Sequence, residues 1–190
     1  MGIHKFGNIF RKKFFRPAEG VKLPKRINSL FIDCNGIFHQ AKSKVFPILV
    51  DRDGKEVATV EEMKKKYTLK GLKETYISAI IDRLDELLDQ FNPVDNFIIS
   101  PDGVANAGKL NQQKTRRFSP KEEIFYAFDG NALTPGTEIM ISIDKAIKEW
   151  LAKKAKAGKL PPNTIYSSHM DPGEGEHKIF HYIREKMLIP

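Results

Sequence analysis

Four carboxylates in this sequence could together bind divalent cations. Glu174 and Glu176 stand on either side of a glycine in the stretch GEGEHK, and another glycine precedes them. Asp33 and Asp102 each follow a short apolar run. Carboxylates gathered closely repel one another unless cations neutralise them, and hard ions such as Mg²⁺ and Mn²⁺ bind carboxylate oxygens. Because paired ions of this type serve phosphodiester cleavage, the pattern points to phosphoester chemistry.

Each carboxylate also has a purely structural explanation. Acidic residues in the first turn of a helix favour its dipole, which would account for Glu174 and Glu176. Asp-Gly and Asn-Gly pairs are common in turns, which would account for Asp33 and Asp102. Spacing alone therefore leaves metal binding and local structure as alternatives.

The histidines and the cysteine add little to a metal site. His177 and His181 stand four residues apart, as in zinc sites on helices, but no third soft ligand lies at a helpful spacing. Partly exposed helix histidines are the favoured interpretation. Cys34 is the single cysteine, which excludes a disulfide framework and fits a reducing, intracellular compartment. Its place in an apolar run predicts a core residue.

A second group of side chains suits an anionic ligand. The stretch GKLNQQKTRRF, residues 108–118, predicts a helix with a polar face. That face carries Lys109, Gln113, Arg116 and Arg117. Guanidinium forks with a lysine and an amide suit a terminal phosphate. A solvated basic surface is the alternative, but the short distance in sequence from Asp102 favours a phosphate held near the proposed metals.

Short apolar runs alternate with helical patterns, which predicts an α/β domain with a mainly parallel sheet flanked by helices. Strands are predicted within residues 28–36, 94–103 and 163–169, the first running into a turn. Because ligands bind at the carboxyl ends of parallel strands, the four carboxylates are expected to converge there.

Helices are predicted over residues 69–91 and 134–158, and after Glu174. The last of these is expected to face inward through Ile179, Phe180, Ile183 and Met187. Residues 42–66, with a hairpin signal at Asp53-Gly54, are predicted to be an excursion from the core.

Composition limits the class of protein. The sequence has 190 residues, of which 41% are hydrophobic and 29% charged, so it can fold as one globular domain. Its 32 basic and 24 acidic residues give a net charge of +8, which favours a polyanionic partner. No apolar run approaches the length of a membrane span.

In order along the chain, the sequence resembles the Xrn-type 5′→3′ exoribonucleases. The matching blocks are MGIHKF, FIDCNGIFH, PDGVANAGKLNQQKTRRF, NALTPGTEIM and GEGEHKI. Five blocks in order, two of them long and unusual in composition, are more specific than any single motif. The resemblance implies a fold of the PIN and flap-nuclease type, with residues 1–190 forming a partial N-terminal exonuclease domain.

The resemblance also implies a role for each motif residue. It implies ligands of two Mg²⁺ or Mn²⁺ ions at Asp33, Asp102, Glu174 and Glu176. It implies a 5′-monophosphate pocket formed by Lys109, Gln113, Arg116 and Arg117. His39 would stack on the first base, and the N-terminal segment would restrict entry to single strands. The glycines beside the two glutamates would leave room for metal and scissile phosphate.

Two departures from the family pattern stand out. Family members read Pro-Arg-Ala where this chain has Asn106-Ala107-Gly108, which removes an arginine and predicts a looser turn. The family's further aspartate pair, and the aromatic partner of His39, would lie beyond Pro190. The chain is therefore expected to be a truncated or short form with a sheet incomplete at its C-terminal edge, and a second polypeptide could supply the missing acids.

The resemblance implies hydrolysis of 5′-monophosphorylated single-stranded RNA to nucleoside monophosphates, in the cytoplasm or the nucleus. Three alternatives stay open. The chain could be a catalytically weak or inactive module that binds RNA 5′ ends, or a flap- or structure-specific DNA nuclease. The charge could also reflect nonspecific affinity for nucleic acid.

Overall fold

The computed structural model describes residues 26–46, 68–118 and 130–186. The strands are β1 (Ser29–Asp33), β2 (Asn96–Ser100) and β3 (Asn163–Tyr166). The α-helices are α1 (Asn35–Val45), α2 (Leu69–Phe91), α3 (Ala107–Phe118), α4 (Glu138–Lys156) and α5 (Gly175–Lys186). A short 3₁₀ helix spans Gly130–Ala132. None of the helices in these ranges is long and apolar enough to cross a bilayer.

The three strands form one parallel sheet in the order β1-β2-β3. In the register, Phe31 lies beside Ile98, and Ile98 lies beside Ile165. All three strands therefore end at the same edge, where Asp33 is paired with Ser100. This confirms the predicted α/β fold with a parallel sheet, which is consistent with the PIN type.

The main core lies on one face of the sheet. Leu30, Ile32, Phe97 and Ile99 alternate inward from β1 and β2, as the two-residue period of a strand requires. Helices α1, α2 and α4 pack over them. The fully buried residues that α2 contributes are Tyr76, Ile80 and Leu84, each 0% exposed. Cys34 is also 0% exposed, which confirms the predicted core cysteine.

Helix α2 has the bounds that its sequence predicts. Thr68 caps its start, because the side-chain oxygen accepts a hydrogen bond from the Gly71 backbone N–H at 3.1 Å. Its end is set by Asn92, which adopts the left-handed conformation with φ 42° just before Pro93. The helix contacts α1 and α4, so it joins these two helices in the layer that covers one face of the sheet.

Helix α5 packs on the opposite face of β1 and β2. Ile179 is buried there, and the Tyr182 hydroxyl donates to Asn96 Oδ1 at 3.3 Å. The expectation that Phe180 faces inward is wrong, since that residue is 63% exposed. Successive helix residues are turned by about 100°, so burying Ile179 directs its neighbour to solvent. Met187 lies outside the described residues.

Two other predictions near β1 have different outcomes. The predicted turn after Asp33 is wrong, because helix α1 already begins at Asn35. Of the predicted excursion at 42–66, the first residues complete α1, and Phe46 after it is only 5% exposed. The rest of that segment, including the hairpin signal at Asp53-Gly54, lies outside the described residues.

Candidate functional site

The four predicted carboxylates lie at the carboxyl edge of the sheet, at the end of β1, in the loop after β2 and at the start of α5. Asp33 is the last residue of β1, and Asp102 lies in the loop that leaves β2. Glu174 and Glu176 flank the first residue of α5. The backbone N–H of that residue, Gly175, donates to Asp102 Oδ1 at 2.7 Å. The start of α5 therefore reaches directly to the loop after β2.

The pKa of Asp33 is affected by its burial and by the other three acids. Burial raises the pKa of Asp33 above its ordinary value, and the charges of Asp102, Glu176 and Glu174 raise it further. The Asn35 backbone N–H, which donates to Asp33 Oδ1 at 3.2 Å, opposes this increase. Four negative charges at one edge are the arrangement that a bound cation would stabilise.

Asn35 contacts two of the predicted metal ligands, and the sequence analysis did not single it out. Its side-chain amide donates to Asp102 Oδ2 at 2.5 Å, and its side-chain carbonyl accepts from the Asp102 backbone N–H at 3.2 Å. Its own backbone N–H holds Asp33. One residue thus orients two carboxylates from different strands. The available signal was its position two residues after Asp33, which the sequence analysis attributed to an Asn-Gly turn.

Replacing this contact should weaken cation binding without unfolding the protein. We expect Asn35→Ala to reduce Mn²⁺ affinity about 10- to 100-fold, the usual cost of losing a residue that orients a metal ligand. Ser43→Ala is the matched control, since Ser43 is exposed on the same helix and bonds only the His39 carbonyl among its described contacts. Isothermal titration of both variants measures the effect. Equal affinities would show that Asp102 keeps its orientation without the amide.

The loops carrying Asp102 and Glu174 are tied by their backbones. The Gly103 N–H donates to the Gly173 carbonyl at 2.8 Å, and the Gly173 N–H donates to the Val104 carbonyl at 2.9 Å. Gly173 has φ of 105°, a region that L side chains rarely adopt. These two hydrogen bonds, here called the loop bridge, tie the loop that carries Asp102 to the loop that carries Glu174.

The glycine between the two glutamates serves protein packing rather than ligand access. A Cβ on Gly175 would lie 2.5 Å from the Ser100 carbonyl oxygen and 2.9 Å from Asp33 Oδ1. The space that the sequence analysis reserved for metal and phosphate at this glycine is therefore filled by β2 and β1. Only glycine lets the start of α5 approach the strand ends this closely.

The donor set fits a divalent cation. Glu174, Glu176 and His177 each offer one ligand atom, and these three atoms lie within 4.8 Å of one another. Oxygen-rich sites suit Mg²⁺ and Mn²⁺, and the imidazole adds a nitrogen donor that suits transition ions. Within the described ranges this is the one group of its kind, and the predicted ligands Asp33 and Asp102 are not members of it, nor is His181.

Lys178 is a second residue that the sequence analysis did not single out. Its ammonium donates to the carbonyls of Ser168 at 2.9 Å and Ser167 at 3.4 Å, which clamps the chain between β3 and α5. Burial lowers the pKa of this lysine. A cation in the first turn opposes the helix dipole, and this was the signal that it has another role.

The predicted phosphate-binding residues lie on α3, which starts close to the acids. Asn106 accepts a hydrogen bond from the Lys109 backbone N–H at 3.0 Å and so caps the helix. The expectation that this turn is looser than the Pro-Arg-Ala turn of the family stays a prediction. Gln113 follows one turn later and is partly buried. For Arg116 and Arg117 the structure fixes only the helical backbone, so their role stays a prediction.

Lys109 contacts the acidic group, which is the name used here for the four carboxylates of Asp33, Asp102, Glu174 and Glu176. Its ammonium lies 3.2 Å from Glu174 Oε2, and the two side chains are only 24% and 10% exposed. This ion pair joins the predicted phosphate pocket to the predicted metal ligands. His39 lies exposed on α1, one turn after Asn35, and its stacking role stays a prediction. The N-terminal segment assigned to strand selection lies outside the described residues.

Comparison with known proteins gives a consistent result. The family model for the XRN 5'-3' exonuclease N-terminus matches residues 1–125 and 121–189. The chain is 29% identical over 210 residues to 5'-3' exoribonuclease 1 of Schizosaccharomyces pombe, covering 100% of the chain and 14% of that protein. For 5'-3' exoribonuclease 1 of Homo sapiens the identity is 29% over 211 residues, covering 100% and 11%. For 5'-3' exoribonuclease 2 of Gallus gallus it is 28% over 191 residues, covering 86% and 18%. The chain thus spans less than a fifth of the length of these relatives.

Proposed function

The chain belongs to the XRN 5'-3' exonuclease N-terminus family, and from that premise we propose that it forms part of the active site of a 5′→3′ exoribonuclease. The proposed substrate is single-stranded RNA with a 5′-monophosphate, which is hydrolysed to nucleoside monophosphates in the cytoplasm or the nucleus. The observation that supports the proposal is the contact between Lys109 and Glu174, because it joins a residue of the proposed end-phosphate pocket to a residue of the proposed cation site.

The proposed roles follow from the positions of the side chains. Mg²⁺ or Mn²⁺ would be bound by the carboxylates of the acidic group, Asp33, Asp102, Glu174 and Glu176. A bound divalent cation supplies Lewis-acid stabilisation of charge on the phosphodiester oxygens. Asn35 keeps Asp102 aimed at the edge of the sheet, and the loop bridge keeps Glu174 near it. The chain's own residues thus supply preorganised negative charge.

The predicted phosphate-binding residues of α3 would fix the position of the RNA 5′ end. Lys109, Gln113, Arg116 and Arg117 would bind the 5′-phosphate, and His39 would stack on the first base. The backbone of Lys109 is fixed at the start of α3 and its ammonium can reach Glu174, so an end phosphate bound by Lys109 would lie within a side-chain length of the carboxylates. Larger and more highly charged ends, such as a triphosphate or a cap, would fit this pocket poorly.

The test compares RNA ends and removes the two arginines. We expect Mn²⁺-dependent loss of 5′-monophosphorylated RNA to exceed loss of 5′-hydroxyl RNA, and Arg116→Ala/Arg117→Ala to lower this selectivity by more than about tenfold. Each guanidinium–phosphate bond is worth about 1.5–3 kcal/mol, and 1.4 kcal/mol is a factor of ten. Initial rates on labelled RNA measure both quantities.

Lys153→Ala/Lys156→Ala is the matched control, because it removes two positive charges from the exposed end of α4. A flapped DNA duplex serves as the alternative substrate. Equal losses on both RNA ends would indicate a nonspecific basic patch, and preferred cleavage of the flap would indicate a structure-specific DNA nuclease. Phosphate-selective binding without cleavage would indicate an end-binding module.

A further inference from the structure

The ion pair between Lys109 and Glu174 differs from the surface pairs of this protein. Its two side chains are 24% and 10% exposed, whereas those of Lys70 and Glu74 are 87% and 68% exposed. Exposed pairs contribute little because water screens them, but a pair shielded from water keeps a strong mutual attraction. In the absence of another ligand, the ammonium of Lys109 therefore lies at Glu174.

Both members of this pair have a second proposed ligand. Glu174 is one of the three residues whose ligand atoms lie within 4.8 Å of one another, so it would also bind a divalent cation. Lys109 would also bind the RNA 5′-phosphate. One ammonium cannot give its full charge to a carboxylate and a phosphate together. A divalent cation at Glu174 would in turn repel the ammonium beside it.

The local structure lets the side chain move while its backbone stays in place. The backbone of Lys109 is fixed at the start of α3, where its N–H donates to Asn106 Oδ1 at 3.0 Å. The lysine stem is flexible, so the ammonium can leave Glu174 without a change in the helix. Gln113 lies one turn further along the same face, in the direction of the predicted phosphate pocket.

We propose that Lys109 couples the two ligand sites, so that a divalent cation at Glu174 releases the ammonium for the RNA 5′-phosphate. This inference rests on the proposed function. Two ligands coupled in this way must each raise the affinity of the other by the same factor. Selectivity for 5′-phosphate is then a property of the cation-loaded protein, and Glu174 is the residue that suppresses it otherwise.

The test measures how strongly the protein prefers one RNA end. Fluorescence anisotropy gives Kd for a cleavage-resistant RNA with a 5′-monophosphate and for the same RNA with a 5′-hydroxyl, in EDTA and in Mn²⁺. In the unmodified protein we expect the preference for the phosphate to rise about tenfold when Mn²⁺ is added, within the usual range of coupling. Lys109→Met should show a small, constant preference under both conditions.

Two glutamine variants separate the ion pair from general charge. Glu174→Gln frees Lys109, so its phosphate preference should already be high in EDTA. Glu176→Gln is the matched control, because it removes an equal charge from the same acidic group but leaves the ion pair of Lys109 with Glu174 intact. It should behave in EDTA like the unmodified protein. Thermal unfolding checks that every variant is folded.

The reciprocal measurement is the Mn²⁺ affinity, read by electron paramagnetic resonance. The Mn²⁺ affinity should be higher with the 5′-phosphorylated RNA than with the 5′-hydroxyl RNA, by the same factor of about ten. In Lys109→Met the two Mn²⁺ affinities should be equal. A preference that is high in EDTA and unchanged by Mn²⁺ would overturn the coupling and leave the proposed function standing. Equal preferences of Glu174→Gln and Glu176→Gln in EDTA would also overturn it. If no variant prefers the phosphate under any condition, both the coupling and the proposed phosphate pocket fail.

Discussion

Asp33→Asn is expected to abolish divalent-cation binding and, in the same protein, to increase the stability of the cation-free fold. The charge of Asp33 is partly desolvated, and the charges of Asp102, Glu176 and Glu174 also act on it. A neutral amide removes both costs, and its oxygen can still accept the Asn35 backbone N–H now bound at 3.2 Å. The cost falls on the cation, which loses a charged ligand.

The expected loss of Mn²⁺ affinity is more than about 100-fold, since removing residues that only orient ligands already costs 10- to 100-fold. RNA cleavage should fall at least as far. Calorimetric titration and thermal unfolding, each with and without Mn²⁺, separate the two effects. The stabilisation that Mn²⁺ gives the unmodified protein should disappear in the variant.

The pH dependence gives the sign of the stability change. Because the pKa of Asp33 is raised in the folded state, folded protein binds the proton more tightly than unfolded protein does. Its ionisation therefore costs stability above the raised pKa, and this cost vanishes as the pH falls to the ordinary value of 3.8. The increase in the free energy of unfolding caused by Asp33→Asn should be largest near neutral pH and should vanish on acidification.

Asp95→Asn is the matched control for this experiment. Asp95 is exposed just before β2, at the opposite edge of the same sheet. The same chemical change there should alter neither the Mn²⁺ affinity nor the stabilisation that Mn²⁺ gives the fold. If Asp33→Asn destabilises the cation-free protein at neutral pH, the repulsion inferred among the four acids is not the dominant interaction at this edge.

Gly103→Ala is expected to have the largest effect on the fold. A Cβ at this position would lie 1.8 Å from the Asp171 carbonyl oxygen, a backbone atom that cannot move alone. The two loops joined by Gly103 and Gly173 would have to separate, which breaks their paired hydrogen bonds. We expect the free energy of unfolding to fall by about 2–3 kcal/mol, at the upper end for overpacking.

Separation of these loops should also reduce Mn²⁺ affinity, because one carries Asp102 and the other Glu174. Urea unfolding and Mn²⁺ titration measure the two losses. The control is Gly36→Ala on α1, where a Cβ meets nothing within 4 Å. There alanine should be neutral or stabilise the helix by up to about 1 kcal/mol. If both variants unfold alike, the loop bridge yields easily and does not fix the carboxylates.

The features that the sequence predicts well are those decided by neighbouring residues. Thr68 and Asn92-Pro93 carry the start and stop signals of α2 in the chain itself, so its bounds could be predicted to the residue. The convergence of Asp33 and Asp102 could also be predicted, because parallel strands end at one edge. Composition and periodicity were sufficient for these elements.

The features that the sequence does not predict depend on contacts between distant segments. Asn35 and Asp102 are 67 positions apart, and only the packed sheet shows that the amide of one orients the carboxylate of the other. Lys109 and Glu174 are 65 positions apart, and their ion pair likewise needs the assembled loops. Phe180 has the right spacing for a buried residue, but α5 buries the neighbouring position instead.

The distances along the chain between the site residues also decide when the site can form during synthesis. The contact from Asn35 to Asp102 closes a separation of 67 positions, and that from Gly175 to Asp102 closes 73. Such long-range parallel pairing is slow, and a chain leaves the ribosome from its N-terminus. Asp33 and Asp102 therefore emerge well before Glu174 and Glu176. A nascent chain that still ends before α5 lacks half of its acidic group, so the proposed cation site cannot form until that helix has docked.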